Sequence, residues 1–394
     1  MTHYDVIVLG GGTMGSAAAW SLAKRGARTL VLEQFSHVHP FGSHGGRTRV
    51  IRHAYAESPA YVPLVQRADD LWLELEHLAG EKILHRTGGL ELAAPGYRHA
   101  RAARESAQLH GLPHEWLTPQ EANRRWDAVN VPEDWDVLFS PQAGFLLNEP
   151  ALRSLARFAV RLGAELHEHE PARDWGATAD EVWVRTDRET YRADRLVVTA
   201  GAWAASLLAD LGLPLTVLRK VLFWLAVEDP APLALGRFPV FIVDSDAGEI
   251  YGFPIHDHPG LKIAEHSGGQ PTDPNTVDRT VRDEEKQSVV ALSGRIFRGV
   301  TDRVLESTVC LYTMTPDTDF VVDRHPASPR VVLGAGFSGH GFKFATSVGE
   351  LLAALALDEA TEPYPHLALS RFGPARETGA EGGLQASART PAAT

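Results

Sequence analysis

Apolar positions at the N-terminus run without a polar face. Tyr4 to Leu9 carries one charge, Asp5, and is closed by glycine, which predicts a short strand buried on both sides. It leads into Gly10-Gly11-Gly12-Thr13-Met14-Gly15, after which small residues and Leu22 continue at helical spacing to Gly26, so strand, glycine turn and helix follow in order. Arg28 to Leu32 predicts a second strand, ending in Glu33. The pattern returns late: Arg195 to Ala200 reads as a buried strand running into Gly201-Ala202-Trp203, and Arg330 to Leu333 precedes a glycine-rich stretch and a helix over Phe344 to Leu357. Asp70 to Ala79 and Glu149 to Leu162 have helical spacing, and Glu181 to Arg185 reads as a strand. Gly260 to His266 alternates, so that as a strand Lys262, Ala264 and His266 share one face and Ile263 and Glu265 the other.

Length changes this picture from one core to several, since 394 residues at roughly 150 per domain give two or three. With 50 acidic against 38 basic residues the net charge is -12, a field that repels nucleic acid and anionic membranes and favours a small-molecule partner. The single cysteine, Cys310, excludes an internal disulfide, and no Cys/His spacing points to a metal site. The early apolar stretch, Val6 to Trp20, lacks a basic leader and contains three consecutive glycines, so it reads as folded structure rather than a signal peptide. No run of about twenty uncharged apolar residues predicts a membrane span, and a cytoplasmic protein is expected. The tail from about Glu377 to Thr394, rich in Ala, Gly, Ser and Thr, is expected to be mobile.

Gly10, Gly12 and Gly15 fit a tight turn, close approach of backbone N–H groups to a pyrophosphate, and close packing of helix on strand. Glu33 is placed where a carboxylate can accept from an adenosine ribose. The motif alone does not choose FAD over NAD. The late return of strand, glycines and helix could cover the ring end of a long cofactor, or could be unrelated. Arg47, Arg49, Arg52 and His53 form a basic cluster in an acidic chain, either a solvated face or an anion site in which arginine binds a carboxylate with two parallel hydrogen bonds.

Taken together, the glycine turn, Gly42 to Tyr55 (GSHGGRTRVIRHAY), Tyr251-Gly252-Phe253-Pro254, the run from Cys310 to Asp317 and Gly336 to Lys343 (GFSGHGFK) resemble the monomeric sarcosine oxidase and N-methyltryptophan oxidase family, in the same order and nearly to Phe372. The resemblance implies an α/β fold: a Rossmann-type, glutathione-reductase-like FAD-binding domain (residues 1–85, 145–215 and 320–372) interwoven with an α+β substrate domain on a mostly antiparallel sheet (86–144 and 216–319). It implies a monomer that oxidises the C–N bond of a secondary amino acid to an imine, which hydrolyses, while O2 becomes H2O2. FAD would be attached through Cys310. Its contacts would come from Gly10, Gly12, Thr13, Met14, Gly15, Glu33, Gly42, Ser43, Thr48, Arg49, Gly201, Trp203, Gly336, Phe337, Gly339, His340, Gly341 and Lys343. The resemblance places Arg52 and Lys343 on the substrate carboxylate, Arg49 close to the flavin, Lys262 by the flavin ring where a fixed cation promotes reaction with oxygen, and His266 and Tyr251 on the amine site. Tyr312 would share the strand face of Cys310. Gly45 and Arg47 stand where the family usually has histidine and aspartate, and Ile242 falls in a stretch lining the substrate side. Loss of the imidazole suggests a substrate bulkier than sarcosine: an N-substituted glycine, a cyclic imino acid or a secondary amine with a long apolar arm. A dehydrogenase passing electrons to another acceptor, and a flavin-binding regulatory protein, are the alternatives.

Overall fold

The structure, a computed structural model, describes residues 3–373 and 384–387. The first apolar run forms the strand His3–Leu9, hydrogen-bonded in parallel to Thr29–Leu32 on one side and Thr190–Val198 on the other. Its side chains divide by alternation. Val6 and Val8 join the cluster beneath the helices, and Ile7 and Leu9 the cluster on the opposite face. With both faces covered, a polar position would gain nothing from water, which accounts for the unbroken apolar run. Glu165–His167 extends the parallel set at one side and Ser328–Ala335 at the other. The hairpin Asp174–Ala177 and Val182–Arg185 adds antiparallel strands to the first half of Thr190–Val198.

The helix Thr13–Lys24 packs against Asn148–Arg161 and Ala345–Ala356. The helix read from Asp70 begins earlier, at Val62, because Pro63 falls in the first turn, where its missing N–H costs nothing. Gly80, at φ +66°, ends it.

A second sheet orders Gln270–Pro271, Thr216–Val227, Leu261–Glu265, Gly248–Phe253, Val240–Ser245, Gly89–Ala93, Asp136–Ser140 and Glu115–Leu117, with Val300–Met314 also paired to Thr216–Val227. Its pairs are antiparallel except Gly89–Ala93 with Val240–Ser245. Register aligns Phe253, Lys262 and Trp224 in one row, and Glu91, Ile242, Tyr251, Ala264 and Leu222 in the next. Residues in register share a face, so the chemistry-bearing side chains of five strands gather on one surface. A small sheet of Thr48–Ile51, Gly144–Leu147 and Leu84–Arg86 carries Arg49 to the seam.

Leu384–Ser387 lies antiparallel on Asp174–Ala177, where composition predicts a mobile tail. An open strand edge offers backbone donors and acceptors whatever the side chains, so low apolar content does not prevent pairing there. The remainder of that tail lies outside the described residues. Among the described residues no helix is long and apolar enough to cross a membrane, and no cluster of metal-ligating side chains occurs.

Candidate active site

A cavity of about 270 Å³ extends from the glycine turn to Tyr312 and Phe342. The turn is built for an elongated phosphate-bearing ligand. Gly10 sits at φ +93°, and a Cβ there would lie 2.6 Å from the Thr199 carbonyl oxygen; one on Gly15 would lie 1.8 Å from the Gly10 oxygen. Gly12, by contrast, has nothing within 4 Å of a Cβ, opens on the cavity and leaves the helix N-terminus without a side-chain cap. Backbone donors there are free to meet an anion. Glu33 is locked beside them, its oxygens accepting from Gly11 N at 2.8 Å and Phe35 N at 2.9 Å. Burial pushes its carboxyl up while these backbone N–H groups pull it down, and burial wins.

Thr13, Met14, Gly42, Ser43, Arg49, Gly201, Trp203, Gly336, Phe337, Gly339 and Gly341 line the same cavity. Gly15 does not; it packs the turn against the helix. Thr48, His340 and Lys343 also lie off its wall. Thr48 turns its oxygens to Lys262, while His340 and Lys343 face a second cavity. Sequence reading missed His39, His44, Ala172, Thr199 and Asn275 on this cavity's wall. Asn275 holds Trp203, whose Nε1 donates to its Oδ1 at 2.8 Å. Contributions from such separated loops leave no periodic signal.

The second cavity, about 50 Å³, meets the first at Arg49, Tyr312, Gly339 and Phe342. Val50, Arg52, Glu57, Ile242, Glu249, Tyr251, His266, His340 and Lys343 complete it. Arg52 donates to both Glu57 oxygens at 2.7 Å and to the Ala54 carbonyl at 3.1 Å, with its guanidinium 4.6 Å from the Tyr55 ring centroid. Burial opposes the Arg52 charge, but Glu57 and then Glu91 more than restore it. Burial likewise pushes Glu57 up, and Arg52, His340 and Lys343 carry it well below the ordinary carboxylate range. Lys343 Nζ donates to the His340 carbonyl at 2.7 Å; burial, then Arg52, lowers it to about 7. Burial also lowers His266 to about 4, so the imidazole is neutral at pH 7. Tyr251 and Tyr312 set their hydroxyls 3.4 Å apart and, raised chiefly by burial, remain phenols.

Four further residues singled out in the sequence, Lys262, Gly45, Arg47 and Cys310, line neither cavity. Lys262 Nζ donates to the Thr48 carbonyl and hydroxyl, each at 2.8 Å, and to the Gly46 carbonyl, and burial followed by Arg49 holds it well below the ordinary lysine value. Gly45 faces Pro40, whose carbonyl oxygen would lie 3.5 Å from a Cβ, an ordinary contact. Arg47 points outward to Glu306, with the ion pair at 3.2 Å. Cys310 is fully covered, opposite Lys220 across the ladder. Burial raises its thiol against the opposing pull of Arg49, Lys262, Lys220 and Arg279.

A glycine turn on a parallel sheet, joined through a long cavity to a small cation-walled one, defines a flavin-dependent oxidoreductase, and the chain belongs to the FAD dependent oxidoreductase family, which matches residues 5–355. Within it the similarity is to monomeric sarcosine oxidases and N-methyltryptophan oxidases. The monomeric sarcosine oxidase of Bacillus sp. (strain NS-129) is 39% identical over 366 residues, 92% of this chain and 95% of the relative. The N-methyl-L-tryptophan oxidase of Yersinia pestis (strain Pestoides F) is 36% identical over 358 residues, 90% and 95% of the two chains. Among solved structures, NikD, an unusual amino acid oxidase essential for nikkomycin biosynthesis, superposes in its open form with a TM-score of 0.82 at 24% identity, over 93% of this chain and 98% of that one.

Proposed function

We propose that the chain oxidises the C–N bond of a secondary amino acid to an imine, which hydrolyses, with O2 reduced to H2O2. The observation that carries this reading is the small cavity itself: Arg49, Arg52 and Lys343 bring cations to its wall, and it opens on the cofactor cavity beside Tyr312. FAD, when bound, supplies the two-electron acceptor, held by the Gly10–Gly15 turn, Glu33 and the walls around Trp203 and Phe337.

A substrate carboxylate entering this cavity meets Arg52, now shared with Glu57, and Lys343, whose amine the carboxylate recharges. Arg49 and the recharged Lys343 then oppose a second positive charge, which favours the uncharged substrate amine that oxidation requires. Neutral His266 offers an imidazole without adding charge. Tyr251 and Tyr312 position and do not titrate. Lys262, whose Nζ donates to Gly46 and Thr48, is the side chain whose positive charge eases electron transfer to oxygen in this reading. Cys310 is the covalent tether in this reading; Arg49, Lys262, Lys220 and Arg279 pull towards its thiolate against the burial that raises the thiol. The substrate is bulkier than sarcosine, and its room comes from the wall at Ile242 and Glu249, which does not include Gly45.

The test is holoenzyme given a series of N-alkylglycines and cyclic imino acids, with oxygen uptake and peroxide followed together. One peroxide per imine formed is expected, with yellow colour staying in the acid precipitate of wild type and leaving that of Cys310→Ser. A flavin that no secondary amino acid bleaches under anaerobiosis overturns the reading. Bleaching without peroxide, reversed only by another electron acceptor, favours the dehydrogenase.

A further inference from the structure

The small cavity carries both signs of charge on its wall. Where it meets the larger cavity it carries Arg49. Glu249, Glu57 and Ile242 line it away from that junction, Glu57 being paired with Arg52 and within the field of Lys343. Glu249 stands two positions before Tyr251 on its strand, so the two point to the same face, and its carbonyl accepts from His266 N at 2.7 Å. Its strand is three strand spacings from that of Cys310, about 14 Å across the sheet.

A carboxylate on a small cavity wall is costly without a partner, and this one is poorly served. Among the described residues its oxygens take no hydrogen bond, and its nearest cation is His99 Nδ1 at 3.5 Å. That imidazole already faces Glu91, 2.9 Å from its Nε2. Glu91, 2% exposed, has neither oxygen in a hydrogen bond. Four carboxylates, Glu57, Glu91, Glu249 and Asp244, therefore gather about Arg52, His99 and Lys343. When a substrate carboxylate takes Arg52, the imbalance beside Glu249 grows.

We propose that Glu249 forms a distal subsite for a positively charged, hydrogen-bond-donating end of the substrate's arm, so that the preferred substrates are secondary amino acids carrying a further ammonium or guanidinium group. The proposal rests on the oxidase reading above and deepens it. A purely apolar arm would run along Ile242 and stop against a carboxylate whose ion-pair partner among the described residues is an imidazole shared with Glu91. An ammonium there neutralises the surplus and supplies the missing donors. Desolvation raises Glu249, with Glu57 and Glu91 adding to it against His99 and Arg52, and a cation bound there would lower it again.

The test uses two glycine derivatives of equal size, N-butylglycine and N-(3-aminopropyl)glycine, whose arms differ only in a terminal methyl or ammonium. With holoenzyme at neutral pH the aminopropyl compound is expected to have a kcat/KM at least about tenfold higher, the size of one charge-assisted hydrogen bond. Glu249→Gln should bring the ratio towards one, and Glu249→Leu should reverse it. Unreactive thioether acids with the same two arms, titrated through the flavin spectrum, should show the same order in Kd. A wild-type ratio at or below one, or a ratio that Glu249→Gln leaves unchanged, overturns the subsite while the oxidase stands. Oxidation of neither compound, nor of any other secondary amino acid, overturns the oxidase reading itself.

Discussion

Lys343 shows how a single buried side chain makes binding depend on pH. Its amine is lowered to about 7 by burial and by Arg52, against an ordinary value near 10.4. The charge of a bound carboxylate raises it again, so the complex holds a proton that the free site loses above about pH 7. Affinity for a carboxylate ligand should therefore be full below pH 7 and fall by up to about tenfold per unit above it, until the complex itself deprotonates. Spectral titration of holoenzyme with an unreactive thioether acid between about pH 6 and 10 would check this, with Lys343→Gln flattening the profile. A wild-type profile already flat across that range would remove Lys343 from the carboxylate site. At this scale sequence reading went far but not to the end. The alternation of Lys262, Ala264 and His266 was legible, and their shared face follows from it. That Lys262 would be bound by the oxygens of Thr48 was not, because those oxygens arrive from a strand more than two hundred residues earlier. Glu57 and Glu249 gave no signal, since an isolated acid on an irregular segment or beside a turn looks the same whether it faces water or a cavity.

Elements were read best where both local pattern and packing agreed. Tyr4 to Leu9, the glycine turn and Thr13–Lys24 agree on all counts, and their place in the parallel sheet needs no further information. The second sheet was harder to read, because its strand order interleaves stretches far apart in the chain, and alternation states a face but not a neighbour. Helix contacts lie between these cases. Gly349, in Ala345–Ala356, lies against Thr13–Lys24 so closely that a Cβ would sit 2.4 Å from the Ala17 carbonyl carbon and 2.7 Å from its Cβ. Neither atom can rotate away. Gly349→Ala gains helix propensity of about 1 kcal/mol but must push apart a pair of helices that also cover the cofactor turn. Overpacking of this kind costs about 1–3 kcal/mol, so a net loss is expected, read as a lower urea midpoint together with weaker flavin retention. An unchanged or higher midpoint would show that the two helices slide freely.

The whole molecule stores acid sensitivity in its buried imidazoles. His39, His44 and His340 are 6–7% exposed, and burial holds them down to about 4, 3 and 3 respectively, against an ordinary value of 6.5. Neighbouring positive charge adds to this at each, and Glu57 opposes it only at His340. The sign follows from proton counting. Below pH 6.5 the unfolded chain protonates these rings while the folded chain does not, so stability is present above that value and is lost as pH falls towards 4. Each ring contributes a slope of up to about 1.4 kcal/mol per pH unit, and the three together about 4. Such a slope would consume an ordinary stability of about 5–15 kcal/mol within a few units. Two of the rings line the larger cavity and the third lines the smaller one, so the loss should appear together with release of what the cavities hold. Thermal melts of holoenzyme between about pH 7.5 and 4.5 should show Tm falling with increasing steepness below 6.5. Replacing His340 by glutamine should remove the part of that slope due to one ring, up to about 1.4 kcal/mol per pH unit, even where it lowers stability at pH 7, because a glutamine takes up no proton in either state. A Tm that holds level down to pH 5 would mean that these rings already carry their protons in the fold, and that the cavities are wetter than their burial implies.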